Sequence, residues 1–240
     1  MKDEQLTISS QDLQDLDKFF FDFVKCCSYS IGALIGDGYM SYIYNPNGNY
    51  YRTEISALDP EMPLRFMYEV NAMFSDNKQI TQVIMKNKSG RIIRYSREDI
   101  FKTFYYSTNG RNEVPIWIAR GDRQTKINFI AGIFDAEGSV KFTETWNGTK
   151  TKKNPRWQLG FANTKLNIVE SVQAILQSLG VITGGITTYK KRGCLTMYSI
   201  HPNIRSFIDA GCYFQICRKQ ERLINYLNHV TGSETKRSIP

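Results

Sequence analysis

Apolar residues recur at helical spacing in several windows of the chain and alternate with polar ones in others. Residues 19–36 form a nearly continuous apolar stretch that predicts a helix. In PEMPLRFMYEVNAMF, Leu64, Met67, Val70, Met73 and Phe74 fall on one helical face behind a proline start. LNIVESVQAILQSLG repeats the pattern through Leu166, Val169, Val172, Ile175 and Leu176, and stops at Gly180, which is placed as a C′ cap. Between these helices lie paired strand signals. YMSYIY and YYRTEIS flank the turn NPNGN, and QITQVIMK and RIIRYS flank NKSG. SVKFTETW is followed by the basic loop NGTKTKKNP and by RWQLGFA, where Trp157, Leu159 and Phe161 alternate. ITTYK, KRG and LTMYSI make the last hairpin. Short helices are expected at REDIFKTFYYS, at residues 203–210 and at residues 218–229.

Set in order, these elements repeat. Each half reads helix, two strands, helix, two strands, helix, an internal repeat about one hundred residues long. The predicted fold class is α+β, with two pseudo-symmetric αββαββα halves. The expected organisation is an N-terminal extension at 1–18, a first half at 19–107, a linker at 108–125, a second half at 126–230 and a tail at 231–240.

Composition narrows the setting. The 240 residues, 41% of them hydrophobic, are enough for a sizeable core. No apolar run approaches the roughly 18 residues needed to span a membrane, and the N-terminus lacks the basic start and apolar core of a signal peptide. An intracellular protein, in a prokaryotic cytoplasm or an organelle matrix, is expected. Cys26, Cys27, Cys194, Cys212 and Cys217 form no CxxC pair and read as reduced thiols. Net charge is +8; residues 1–27 hold three lysines against six acids, so the remaining chain carries +11. A basic body favours a polyanionic partner. His201 and His229 lack the companions of a histidine-based nuclease or zinc site and read as surface or capping residues, and no GxxxxGK[ST] loop is present.

The chemistry concentrates at two matching segments, SIGALIGDG from Ser30 to Gly38 and IAGIFDAEG from Ile130 to Gly138. Each predicts a helix of small and apolar residues that ends in one acid and a glycine. A carboxylate in the last turn of a helix opposes the macrodipole by about 0.3–1 kcal/mol when exposed. Either acid alone would pass for a turn residue after an ordinary helix; two at matching places of a repeat point to a shared site. Gly32, Ala33 and Gly36, with Ala131, Gly132 and Ala136, let two helix backbones approach closely. Gly38 and Gly138 suit a left-handed helix end and leave room nearby. Side-by-side packing makes Asp37 and Glu137 neighbours, and two such carboxylates share a proton or bind cations. Hard cations such as Mg²⁺ prefer oxygen ligands, so a basic protein with this pair is suited to phosphodiester hydrolysis.

The two segments resemble the LAGLIDADG homing endonucleases, in their monomeric two-motif form. The second segment is the closer match; the first departs at Ser30 and at Ile35, where an acid often stands. The resemblance implies that Asp37 and Glu137 are the catalytic, metal-binding acids, with the backbone carbonyls of Gly36 and Ala136 as additional ligands. It implies cleavage of both DNA strands across the minor groove with Mg²⁺, leaving short 3′ overhangs, with Mn²⁺ or Ca²⁺ substituting for binding. It further implies that the two antiparallel sheets form a DNA-binding saddle that reads a long asymmetric double-stranded site through the major groove. Candidate DNA contacts are Arg52, Lys86, Lys88, Arg91 and Arg94 in the first half, and Lys141, Lys150, Lys152, Lys153, Arg156, Lys190, Lys191 and Arg192 in the second. Members of the family also place basic side chains around the metal site, for which Lys219, Arg218 and Arg111 are the candidates. The rival readings are an RNA maturase acting on its host intron RNA and a DNA-binding regulator that does not cut.

Overall fold

The computed structural model describes residues 10–46, 48–74, 80–84, 90–146, 153–190 and 193–235. Its elements follow the predicted order. The first half comprises α1 (Ser10–Asp37), β1 (Gly38–Ile43), β2 (Tyr50–Ala57), α2 (Glu61–Phe74), β3 (Ile80–Ile84), β4 (Arg91–Tyr95) and α3 (Glu98–Ser107). A short helix, α4 (Ile116–Arg120), leads into α5 (Arg123–Glu137), β5 (Gly138–Trp146), β6 (Lys153–Asn163), α6 (Leu166–Ser178), β7 (Thr187–Tyr189), β8 (Met197–Ile200), α7 (Ile204–Asp209) and α8 (Cys217–Thr235). The two sheets have the same antiparallel topology, β1-β2-β4-β3 and β5-β6-β8-β7. Their registers also match: Gly38 faces Ile55 in one and Gly138 faces Phe161 in the other.

The expected boundaries shift where helices run through them. α1 begins at Ser10, inside the supposed extension, and α8 continues into the supposed tail. The early part of α1 is held by the linker. The Trp117 indole N–H donates to Asp17 at 2.7 Å, and the Trp117 ring stacks on Phe20 at 4.8 Å. From Leu13 to Asp37 this helix is long and apolar enough to cross a membrane by length and composition, although no such run was expected. Most of that stretch is buried inside the protein, with Phe23, Tyr29, Ile31 and Leu34 inaccessible to solvent. A helix packed on several sides carries apolar residues around most of its circumference, which is why it passes the same test.

α1 is in fact two helices joined at Cys27, whose backbone (φ −110, ψ 20) is not helical. Breaking the ladder there frees amides at the start of the motif helix. The buried Glu69 of α2 takes up the role of a cap from across the core, accepting from the Ser30 N–H and hydroxyl, both at 2.9 Å, while Arg65 donates to its other oxygen at 3.0 Å. α5 uses a local cap instead, with Asp122 accepting from the Thr125 N–H at 2.7 Å. α6 ends as expected. Gly180 has φ +89, its N–H bonds Gln177 O at 2.9 Å, and the Val181 N–H reaches back to Leu176 O at 3.0 Å, which is a Schellman motif.

Each sheet lays one face on helices. In the first half Phe23, Phe66, Phe104 and Tyr95 meet edge-on or tilted over Ile55 and Ile93. In the second, Phe134 stacks on Phe161 at 5.4 Å and packs against Phe207 and Phe214. The strand alternation then dictates that Arg52, Glu54 and Arg94, and likewise Lys141, Arg156 and Gln158, share the opposite faces. All five cysteines are free thiols, as expected.

Candidate active site and nucleic-acid interface

The motif helices pack backbone against backbone. A Cβ on Gly32 would fall on the Phe129 carbonyl oxygen and 2.7 Å from the Ile133 nitrogen; one on Gly132 would fall on the Tyr29 carbonyl and 3.0 Å from the Ala33 nitrogen. At the ends of the helices, a Cβ on Gly36 would overlap the Ala136 methyl and come within 3.1 Å of Glu137 Cγ. The expected convergence of Asp37 and Glu137 is therefore present. They are the last residues of their helices, and the next residue of each chain segment starts a strand.

The glycines that follow act by a different route from the one expected. Gly138 is extended (φ −81, ψ 155), and Gly38 is not among the positive-φ glycines. What excludes a side chain is proximity. The chain turns from helix to strand so sharply that a Cβ would lie 2.5 Å from Leu34 O at Gly38 and 2.6 Å from Phe134 O at Gly138.

Both carboxylates sit in an environment that disfavours their charge. Asp37 is solvent-accessible as a residue, yet the protein around its carboxyl removes enough water to raise its pKa, against the pull of Lys219 and Arg111. Glu137, half-buried, is raised by desolvation and then by the Asp37 charge. Helix C-termini add their own negative end. A cation between the two acids would relieve all three effects.

Two basic residues partly offset that field, and they occupy pseudo-equivalent places. Arg111 donates from Nε to Leu34 O at 2.6 Å and from Nη2 to Ile35 O at 3.1 Å and Gly36 O at 2.7 Å. Lys219 donates from Nζ to Phe134 O at 3.0 Å, Asp135 O at 2.5 Å and Gly138 O at 2.8 Å. Each cation thus satisfies the orphan carbonyls of one motif helix and neutralises its negative end. Arg111 reaches its place through a left-handed turn, Asn109, Gly110 and Arg111 at φ 46, 61 and 70, and Lys165 of the other half anchors its carbonyl at 2.7 Å. For a non-glycine residue that backbone is strained by about 1–2 kcal/mol. Desolvation lowers the pKa of both cations.

The halves differ two residues before each acid. Asp135 is buried, accepts from the Tyr29 hydroxyl at 2.7 Å, the Gln215 N–H at 3.0 Å and the Ile216 N–H at 3.3 Å, and is pushed by desolvation up to about 6. Ile35 fills the same position in the first helix and is simply core. Asp135 therefore binds the loop ahead of α8 to the motif helices and helps bring Lys219 to its carbonyls. Arg218, the neighbouring candidate, turns away and forms a two-bond pair with Asp59, both bonds at 2.7 Å. With Asp37, Asp135 and Lys219 it lines a cleft of about 290 Å³ beside the acids. Replacing Lys219 with Met is expected to destabilise the fold by about 1–3 kcal/mol, because three carbonyls lose their donor. Urea denaturation measures the loss.

The sheet candidates separate by pleat. Arg52, Arg94, Lys141 and Arg156 lie on the faces away from the helices, Arg52 over the Tyr39 ring at 4.8 Å. Arg91 shares the parity of Ile93 and Tyr95 and so belongs to the helix-facing side; the structure does not bring it together with Arg94. Lys190 is exposed just beyond β7. Lys86, Lys88, Lys150, Lys152, Lys191 and Arg192 lie outside the described residues, as does the side chain of Lys153, whose backbone begins β6. Several residues of consequence escaped the sequence reading. Glu54 bonds both Arg52 and Arg94, and Gln158 meets His201 at 3.0 Å, so His201 faces the same surface as the arginines. The period-2 spacing of Arg52 and Glu54 was a usable signal.

Residues 124–226 match the family model described as a LAGLIDADG-like domain. No curated protein matches the sequence. Among solved structures, mesophilic variants of the homing endonuclease I-DmoI superpose with a TM-score of 0.56 at 21% identity, over 79% of this chain and 94% of theirs. I-DmoI in complex with DNA and Ca gives 0.54 at 21% identity, over 78% and 87%. The I-SmaMI LAGLIDADG homing endonuclease bound to cleaved DNA gives 0.54 at 9% identity, over 88% and 90%. The second half of the chain thus matches a LAGLIDADG-like domain, and the whole has a fold similar to that of the solved LAGLIDADG homing endonucleases, with both motif segments in one chain.

Proposed function

We propose that the protein is a site-specific endonuclease that hydrolyses both strands of a long, asymmetric double-stranded DNA target, leaves short 3′ overhangs, and promotes mobility of a host intron. The observation that carries this reading is the pair of acids, Asp37 and Glu137, at adjoining ends of two backbone-packed helices. Similar structures were solved with DNA and with Ca or Mn, which supports a nucleic-acid substrate and a divalent metal. A DNA target implies action inside a cell or an organelle matrix, by a monomer whose two halves replace two subunits.

The donor set fits a hard cation. Two carboxylates supply oxygen, the Ala136 carbonyl lies at the same helix end, and the Gly36 carbonyl is shared with Arg111. Among the described residues no group of three or more His, Cys, Asp or Glu gathers anywhere, so water and phosphate would complete the coordination, as Mg²⁺ favours. When bound, the metal supplies Lewis-acid activation of the phosphate and of a water molecule. The chain's own residues do the rest. Asp37 and Glu137 hold the cation charge at the strand to be cut, Arg111 and Lys219 fix the helix ends that carry them, and the outer sheet faces position the duplex by phosphate contacts and base edges.

The test uses the DNA flanking this reading frame in its host, rejoined as though the frame and any intron were absent. One discrete break with Mg²⁺, none with EDTA, and 3′ overhangs on sequencing the ends are expected. A duplex bound but left whole would point to a regulator that does not cut, and splicing of the host intron RNA without cleavage would point to a maturase.

A further inference from the structure

The two sheets place different chemistry at one pseudo-equivalent position. Gly38 faces Ile55 and Gly138 faces Phe161, so Glu54 corresponds to Gly160 and Arg52 to Gln158. Ile55 in turn faces Ile93, and Phe161 faces Ile200, so Arg94 corresponds to His201. In the first half the Glu54 carboxylate, whose side chain is 8% exposed, accepts from Arg52 Nε at 3.1 Å, Arg52 Nη2 at 2.7 Å and Arg94 Nε at 2.7 Å. In the second half Gly160 stands where the first half has Glu54. Gly160 leaves its site open, and a Cβ there would come within 3.3 Å of His201 Nδ1; the imidazole lies across it to meet Gln158 Nε2 at 3.0 Å.

Both clusters lie near the acids. Glu54 faces Tyr39, two residues past Asp37, and Gly160 faces Ser139, two residues past Glu137. On the DNA-recognition reading, side chains there would address the base pairs flanking the centre of a bound duplex. The chemistry of the two sides is unequal. Two guanidinium groups side by side repel one another, and one buried carboxylate between them removes the repulsion and holds them in a shared orientation. Bonding through Nε leaves the Nη pair of Arg94 outside the bond to Glu54. A guanidinium so held matches the O6 and N7 acceptors of guanine, whereas the amide of Gln158 matches N6 and N7 of adenine.

Resting on the DNA-recognition reading above, we infer that Glu54 is a positioning residue that sets Arg52 and Arg94 to read guanines on one inner flank of the target, while Gln158 beside His201 reads adenine at the mirror position. The asymmetry of the target thus begins next to the cut and not only at its ends.

A library of randomised duplexes, selected for binding by the full chain in Ca²⁺, tests this. The wild type should enrich guanine at two base pairs on one side of the centre and adenine at the mirrored position, each by about tenfold or more. Glu54→Gln should flatten the guanine positions, spare the adenine and steepen the salt dependence, since the arginines then settle on phosphates. Gln158→Ala should flatten the adenine alone. The inference is overturned if Glu54→Gln leaves the guanine preference intact, or if it weakens every position alike and melts early, which would mark a residue of purely structural effect. Enrichment of no sequence by the wild type would overturn the DNA-recognition reading itself, and this inference with it.

Discussion

Replacing Asp37 with Asn and Glu137 with Gln is expected to reduce double-strand cleavage on the order of 10³-fold or more while DNA binding stays within a few-fold of wild type. Either amide keeps the shape of the acid but removes the negative charge that would attract a divalent cation. Loss of several kcal/mol of transition-state stabilisation corresponds to that factor. On the proposed reading DNA is held by the outer faces of the sheets, which the two changes leave alone. Stability should move the other way. Both carboxyls are held above their ordinary range by desolvation, and Glu137 also by Asp37, so the charged forms strain the folded state. Neutral isosteres remove that strain, and the double variant should melt above the wild type, a trade of stability for function common at active sites. Gel assays in Mg²⁺, binding in Ca²⁺ and calorimetry check the three statements separately. Full cutting by the double variant would remove Asp37 and Glu137 from the site.

Gly32→Ala and Gly132→Ala are expected to destabilise the fold by about 3 kcal/mol each. Alanine ordinarily strengthens a helix relative to glycine by about 1 kcal/mol, so propensity predicts the opposite sign. Packing decides. The added methyl at either position meets carbonyl and amide atoms of the facing backbone, and backbone cannot yield as the end of a flexible side chain can. The helices must separate, which costs about 1–3 kcal/mol or more for overpacking and also draws Asp37 away from Glu137. Cleavage should therefore fall with stability. Gly184→Ala supplies the control, because nothing lies within 4 Å of a Cβ there and its φ is not left-handed. Its effect should be near zero in the same urea titration. Equal effects at Gly32 and Gly184 would contradict the close approach of the helices.

Legibility of the site varied with the kind of interaction that builds it. The two acids and the small residues behind them could be read because they are local: each motif is nine consecutive residues whose meaning depends on helix geometry alone. Arg111 and Lys219 were named as candidates from their places in the repeat, but their action on the helix carbonyls runs across 75 or more positions of sequence. Nothing in NGR or CRKQ announces it. Arg218 and Lys219 are adjacent and chemically similar, yet one turns to Asp59 and the other to the motif helix. The left-handed role given to Gly38 and Gly138 was a reasonable local inference, and the actual reason, contact with Leu34 and Phe134 of the preceding turn, is geometric.

Hydrophobic periodicity and turn residues by themselves determined the order of the elements, the twofold repeat, the faces of the strands and the positions of both acids, because these depend on spacings of two to four residues along the chain. Only the tertiary structure decided what those parts do to one another. It placed Glu69 over the amides freed at Cys27, paired Glu54 with two arginines and set Gln158 against His201 in the matching place. Charge and hydrogen-bonding capacity are properties of a residue, but their effect depends on the partner within about 3 Å, and across a sheet or between two helices that partner comes from a distant part of the chain.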